Sequence, residues 1–240
     1  MSITPSVLVL DALWYLVFLF SITLHEAGHA WAAYRLGDPT AYEGGQVSLD
    51  PLPHVRREPF GMVLVPVISL LLSGWPLGWA SAPYDPLWAD RHPRRAAWMA
   101  LAGPAANLLL VLLAMIAVWV GVFAGVFQPP ETIHGLTDMV AASAPGAAGA
   151  VATLISLLFS LNLLLFAFNL LPLPPLDGSG ALALVIGPEL ASRYHAFVRQ
   201  PMIAMLGLIV AWNVFPQIFS PLKVLALNLL YPGAGYIPTG

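Results

Sequence analysis

Within the stretch "SITLHEAGHAWAAYRLGD", Ser21 to Asp38, two histidines stand four residues apart with a glutamate beside the first: His25-Glu26-Ala27-Gly28-His29. On a helix this spacing turns both imidazoles onto one face, one turn apart and about 40° from each other on the wheel. Such a pair suits two ligands of a tetrahedral Zn²⁺. Glu26 is then close enough to take a proton from an activated water, yet angled away from coordination. The chain has no cysteine, so a metal here must be held by nitrogen and oxygen. The motif also lies inside an apolar run that begins near Val7. An ionisable group deep in such a helix costs about 2.5–3.5 kcal/mol on insertion scales, which makes function its default explanation. On a polar helix the same pentapeptide would read equally well as a solvated face.

A catalytic zinc takes three protein ligands and leaves a position open for water. A third histidine six residues past the motif is ruled out, because that position is Arg35. Asp11, Glu131 and Asp138 fall on the far side of the membrane in the topology below. Asp38, Glu43, Asp50, Glu58, Asp85 and Asp90 sit in polar loops, and Glu189 in an interfacial stretch. Asp177 remains, in "FNLLPLPPLDGSG", directly after a span and in a segment where Pro172, Pro174 and Pro175 prevent regular helix. Broken backbone at membrane depth is tolerated where it lines a cavity. An aspartate that merely caps the next helix is the plainer alternative.

The elements that position these residues are membrane spans. The 240 residues are 59% hydrophobic and 9% charged, with a mean hydropathy of +0.80, whereas a soluble domain carries about 25% charge. No basic cluster suggests nucleic acid, and the net charge of −3 calls for no charged partner. Apolar segments approaching or exceeding the roughly 20 residues a bilayer requires run over 7–36, 96–127 and 151–171, with a fourth over about 202–215. The N-terminal run has no basic n-region and no cleavage site, and so reads as a retained span. A shorter segment, 60–79, contains Pro66, Gly74, Pro76 and Gly78 and ends in "GWASAPYDP", which reads as extended chain. The expected fold is an all-α polytopic membrane protein with four to six membrane segments, one of them re-entrant and β-like. A single domain covers 1–240: a core over about 7–184, then an interfacial helix and last span over about 185–240.

Charge placement favours re-entry of 60–79. If it dips in and returns, Arg35, Arg56, Arg57, Arg91, Arg94, Arg95, Arg193 and Arg199 share one side, while the Gln128–Ala150 loop opposite has no Lys or Arg. The positive-inside rule then makes the basic side cytoplasmic, with Lys223 as the exception. His29 lies six residues before Arg35, about 9 Å below that boundary, so the active site opens toward the cytoplasmic side of a cell membrane.

HEAGH in the first span, "AGPAANLL" in the next full span and "NLLPLPPLDG" (Asn169 to Gly178) resemble, in order and spacing, the site-2 protease family of intramembrane zinc metalloproteases. The likeness runs from about Leu13 to Leu184 and is to the compact prokaryotic branch without PDZ domains. It implies one Zn²⁺ held by His25, His29 and Asp177, with Glu26 as catalytic base. It also implies that Asn169 helps hold the substrate backbone and that Gly103, Pro104 and Asn107 chiefly pack helices. Departures are Asp50-Pro51 where relatives have Asn-Pro, and Ser81-Ala82 where they have Lys-Pro. His54 is a possible gate or extra ligand, though a loop histidine is commonly just solvated or hydrogen-bonded. The resemblance implies regulated intramembrane proteolysis of a membrane-embedded peptide or single-span protein within the lipid bilayer. A substrate helix must unwind, and an enzyme edge at 44–49 or 78–82 could pair with it. The alternative is a silent pseudoprotease or adaptor that retains the metal site.

Overall fold

The protein is described here from a computed structural model covering residues 4–237, except the side chains of Pro188, Glu189, Ser192 and His195. Among the described residues four helices are long and apolar enough to span a membrane: α1 (Pro5–Leu36), α6 (Pro93–Phe123), α7 (Ala147–Asn169) and α10 (Pro201–Leu230). Between them lie short helices: α2 (Thr40–Glu43), α3 (Pro51–Arg57), α4 (Val65–Ser73), α5 (Pro86–Arg91), α8 (Asp177–Ala181) and α9 (Pro188–Val198). A two-stranded ladder pairs Phe127–Gln128 with Ala141–Ala142 in the loop between α6 and α7.

Local chemistry sets the helix ends. Thr4 caps α1 by accepting from the Val7 N–H, with Pro5 in the first turn, and Gly37 closes it at φ 104°. Asp50 and Asp85 cap α3 and α5 in the same way, through the N–H groups of Leu52 and Leu87. Asp50 is one of the departures from the related pattern, and as a cap it needs only an acceptor oxygen. The last span is longer than expected. α10 runs through Pro216 and Pro221 to Leu230, because ending a helix in apolar surroundings would strand more backbone groups than the bonds two prolines remove.

The segment 60–79 folds back on itself, as a re-entrant segment would. A π-helical turn (Phe60–Leu64) continues into α4, and the whole apolar helix Phe60–Ser73 is about 21 Å long against a hydrocarbon core of about 30 Å. Gly74, at φ 76°, turns the chain back as an extended limb. The Trp79 N–H donates to the Gly61 carbonyl at 3.1 Å, Arg57 Nε donates to the Ser81 carbonyl at 3.1 Å, and Ser81 Oγ donates to Glu58 at 2.6 Å. Entry and exit therefore lie side by side. A Cβ on Gly61 would overlap the Trp79 carbonyl, and one on Gly78 the Gly61 carbonyl, so only glycine permits this approach. The returning limb is extended but joins no ladder among the described residues, and 44–49 forms turns and bends, not the extended edge expected there. Gly45, at φ 72°, bends that loop away from extension.

Two of the basic residues tie separate chain segments together: Arg95 Nη1 donates to the Leu36 carbonyl at 3.2 Å, and Arg199 pairs with Asp90 at 3.0 Å. These links join the C-terminus of α1 to the N-terminus of α6, and α5 to the chain entering α10. α1, α6 and α7 form the centre. Trp14, Val17, Phe18 and Ile22 of α1 pack with Met62 and Leu70 of the re-entrant segment and Leu157 and Leu161 of α7. Ala30 and Ala33 are wholly buried, and Gly28 lies against the Ala102 carbonyl, where a Cβ would meet it at 2.9 Å. Small residues thus bring α1 and α6 close.

Candidate metal centre

The helical repeat of α1 stacks His25 and His29 on its inner face, where they are 6% and 8% exposed, with Glu26 at 4%. Their Nε2 atoms lie 3.0 Å apart and the rings meet edge to face at 81°. Asp177, at the first position of α8, reaches both: Oδ2 is 3.1 Å from His25 Nε2, and Oδ1 is 3.3 Å from His29 Nε2. Among the described residues these three form the group able to hold a metal ion. The Pro-rich break places Asp177 there, because the chain must leave α7 at Leu170 and turn back before α8 can start. Gly178 lies against the carbonyls of Leu170 and Leu171, where a Cβ would clash.

The donor set fits zinc on three counts. Ligand atoms around a tetrahedral zinc with bonds of about 2.0–2.1 Å stand about 3.3 Å apart, close to the separations just given. A Cβ on Gly103 of α6 would overlap the Nε2 atoms of His25 and His29, so the missing side chain leaves the space in front of them open. Glu26 Oε2 and Asp177 Oδ2 are buried and receive no hydrogen bond. Buried carboxylate oxygens without a donor are costly, and a cation or a water is the partner they lack.

Each imidazole is oriented through its other nitrogen. His29 Nδ1 lies 2.8 Å from the Met99 carbonyl, and His25 Nδ1 lies 2.6 Å from Asn107 Oδ1. The reading of Asn107 as a packing residue was therefore incomplete, since it touches His25 directly. The sequence signal was available: an amide in mid-span is as unexpected as HEAGH itself.

Asn169 and His54 are not brought into the ligand group. Asn169, half-buried at the end of α7, donates to its own helix at the Leu165 carbonyl, 3.0 Å away. Of the two plain readings of His54, solvated or hydrogen-bonded, the structure shows the second: it sits in α3, 2% exposed, with Nε2 3.1 Å from the Ser48 carbonyl and Nδ1 unpartnered.

The model of peptidase family M50 matches residues 13–210, from α1 into α10 and across all three motifs. The chain belongs to peptidase family M50. YwhC of Bacillus subtilis, which carries an assignment as a zinc metalloprotease, is 34% identical over 199 residues, covering 82% of this chain and 80% of YwhC. Rip2 of Mycolicibacterium smegmatis, assigned likewise, is 30% identical over 175 residues; the match covers 72% of this chain and 56% of Rip2. Rip2 of Mycobacterium tuberculosis H37Rv is 33% identical over 172 residues, again with 56% of Rip2 covered. No solved structure matches the chain. Membership of family M50 accords with a multi-pass protein whose ionisable motif lies within an apolar helix.

Proposed function

We propose that this chain is an intramembrane zinc metalloprotease of the HExxH type, hydrolysing peptide bonds within or near the transmembrane segment of membrane-protein substrates. The observation that carries the proposal is the convergence of His25, His29 and Asp177 beside the unpartnered Oε2 of Glu26. His25 Nε2, His29 Nε2 and Asp177 would hold one Zn²⁺ per chain, which when bound supplies the Lewis acidity that activates water and polarises the scissile carbonyl. Glu26 takes the water proton on Oε2 as the C–O bond forms, and returns it to the leaving nitrogen as the C–N bond breaks. The apolar walls of α1 and α6 limit competing water.

The substrate must reach this site unwound. On the returning limb, the N–H groups of Leu77 and Trp79 and the carbonyl of Ser81 bond inward, to Ser69, Gly61 and Arg57. Among the described residues the backbone of Gly78, Ala80 and Ala82 has no hydrogen-bond partner, and in an extended chain it faces the opposite way. That free edge supports the reading of 78–82 as a pairing strand; it passes over Phe18, two turns before His25. Asn169, whose Oδ1 has no hydrogen-bond partner among the described residues, would accept from substrate backbone. His54, on α3 between α1 and the π-helical turn, is the candidate gate. The basic face supports a cytoplasmic opening in a cell membrane.

The test incubates purified protein, with zinc, with a single-span substrate and compares it with Glu26→Gln. Loss of about 10²–10⁴-fold in cleavage with zinc still bound is expected; unchanged cleavage would refute the mechanism. A silent adaptor needs no intact base, and Glu26 is in place.

A further inference from the structure

Three polar side chains buried in the apolar interior, outside the ligand group, form one chain that ends on His25. Ser21 of α1, Asn162 of α7 and Asn107 of α6 are each 0% exposed. The direction of the chain follows from its anchored end. Asn162 Nδ2 lies 2.8 Å from the Leu158 carbonyl, which can only accept, and 2.9 Å from Ser21 Oγ. The Asn162 amino group must face these two, so its Oδ1 faces Asn107, whose Nδ2 donates at 2.8 Å. Asn107 is thereby held with Oδ1 toward His25 Nδ1, 2.6 Å away. An amide oxygen offers no proton, so His25 carries its own on Nδ1. Its Nε2 lone pair is left facing His29 and Asp177.

We propose that Asn107, Asn162 and Ser21 are a positioning relay that sets the tautomer of His25, with the Leu158 carbonyl fixing its polarity. The relay rests on the reading of His25 as a zinc ligand. Without Asn162, the Asn107 amide is free to turn its amino group toward Nδ1. The imidazole proton would then move to Nε2 and occupy the lone pair the metal needs. His29 requires no such relay, because the Met99 carbonyl faces its Nδ1 directly. Partners of this kind typically carry about 10–100-fold in metal affinity.

The experiment measures zinc affinity in detergent by competition with a chelator, using zinc alone as the probe. Wild type is expected to bind one zinc, with Asn107→Leu and Asn162→Leu weaker by about 10–100-fold. Asn107→Asp, which keeps an acceptor toward Nδ1, should bind at least about tenfold tighter than Asn107→Leu. Folded Leu variants that bind within about twofold of wild type would overturn the relay. Histidine ¹⁵N spectra of zinc-loaded wild type give a second readout independent of any variant. A His25 Nδ1–H protected from exchange is expected, and a freely exchanging one would overturn the proposal. A wild type that binds no zinc would overturn the ligand reading itself, and the relay with it.

Discussion

At Gly103 the absence of a side chain matters as much as the presence of the histidines. Its Cα faces both Nε2 atoms across the α1–α6 contact, so Gly103→Ala adds a methyl where the ion would sit. Alanine favours helix more than glycine does, but its methyl must displace the two imidazoles, an overpacking cost of about 1–3 kcal/mol; in the folded fraction recovered by gel filtration, zinc per chain should fall well below one by metal analysis. Full zinc occupancy in Gly103→Ala would contradict the placement of the site. Removing the metal is the complementary test: a strong chelator should abolish cleavage, and added zinc should restore it, because the buried N and O donors remain in place. Activity that persists in metal-free protein would rule out the zinc reading.

The re-entrant segment is the element that decides access. Its return limb is fastened on one edge by Leu77, Trp79 and Ser81 and left free on the other. Ala80→Pro removes a donor from the free edge only, so it should leave thermal stability close to wild type and lower cleavage about tenfold, the worth of about one well-made hydrogen bond. Equal cleavage by Ala80→Pro would remove the edge from the mechanism. Gly78→Ala acts differently: its methyl meets the Gly61 carbonyl and Phe18, and overpacking of this kind costs about 1–3 kcal/mol. A lower melting temperature than that of Ala80→Pro is expected.

For the whole molecule, the hydrogen bonds and ion pair that join Arg57 to Ser81, Arg95 to Leu36 and Arg199 to Asp90 put three separated chain segments on one level. The chain has no cysteine, so single cysteines report cleanly. Cysteines at Asp50 and Leu87 should label from the same face, and one at Ser143 from the other. Labelling of positions 50 and 87 from opposite faces would refute re-entry. Lys223, the exception to the charge map, lies in the second half of α10.

The sequence by itself determined the class, the spans and the ligand candidates. Each rests on a local property: apolar length, helical spacing, a proline break, the charge of a loop. It overestimated strand at 44–49, where Gly45 turns the chain, and shortened α10, because proline is a breaker in water and a tolerated kink in an apolar surround. Only the tertiary structure decided that Asn107 touches His25, that Asn162 and Ser21 stand behind it, and that Gly103 keeps the site open. These facts depend on the register in which α1, α6 and α7 meet. That register is set by the packing of small residues across three helices, and no spacing within a single helix encodes it.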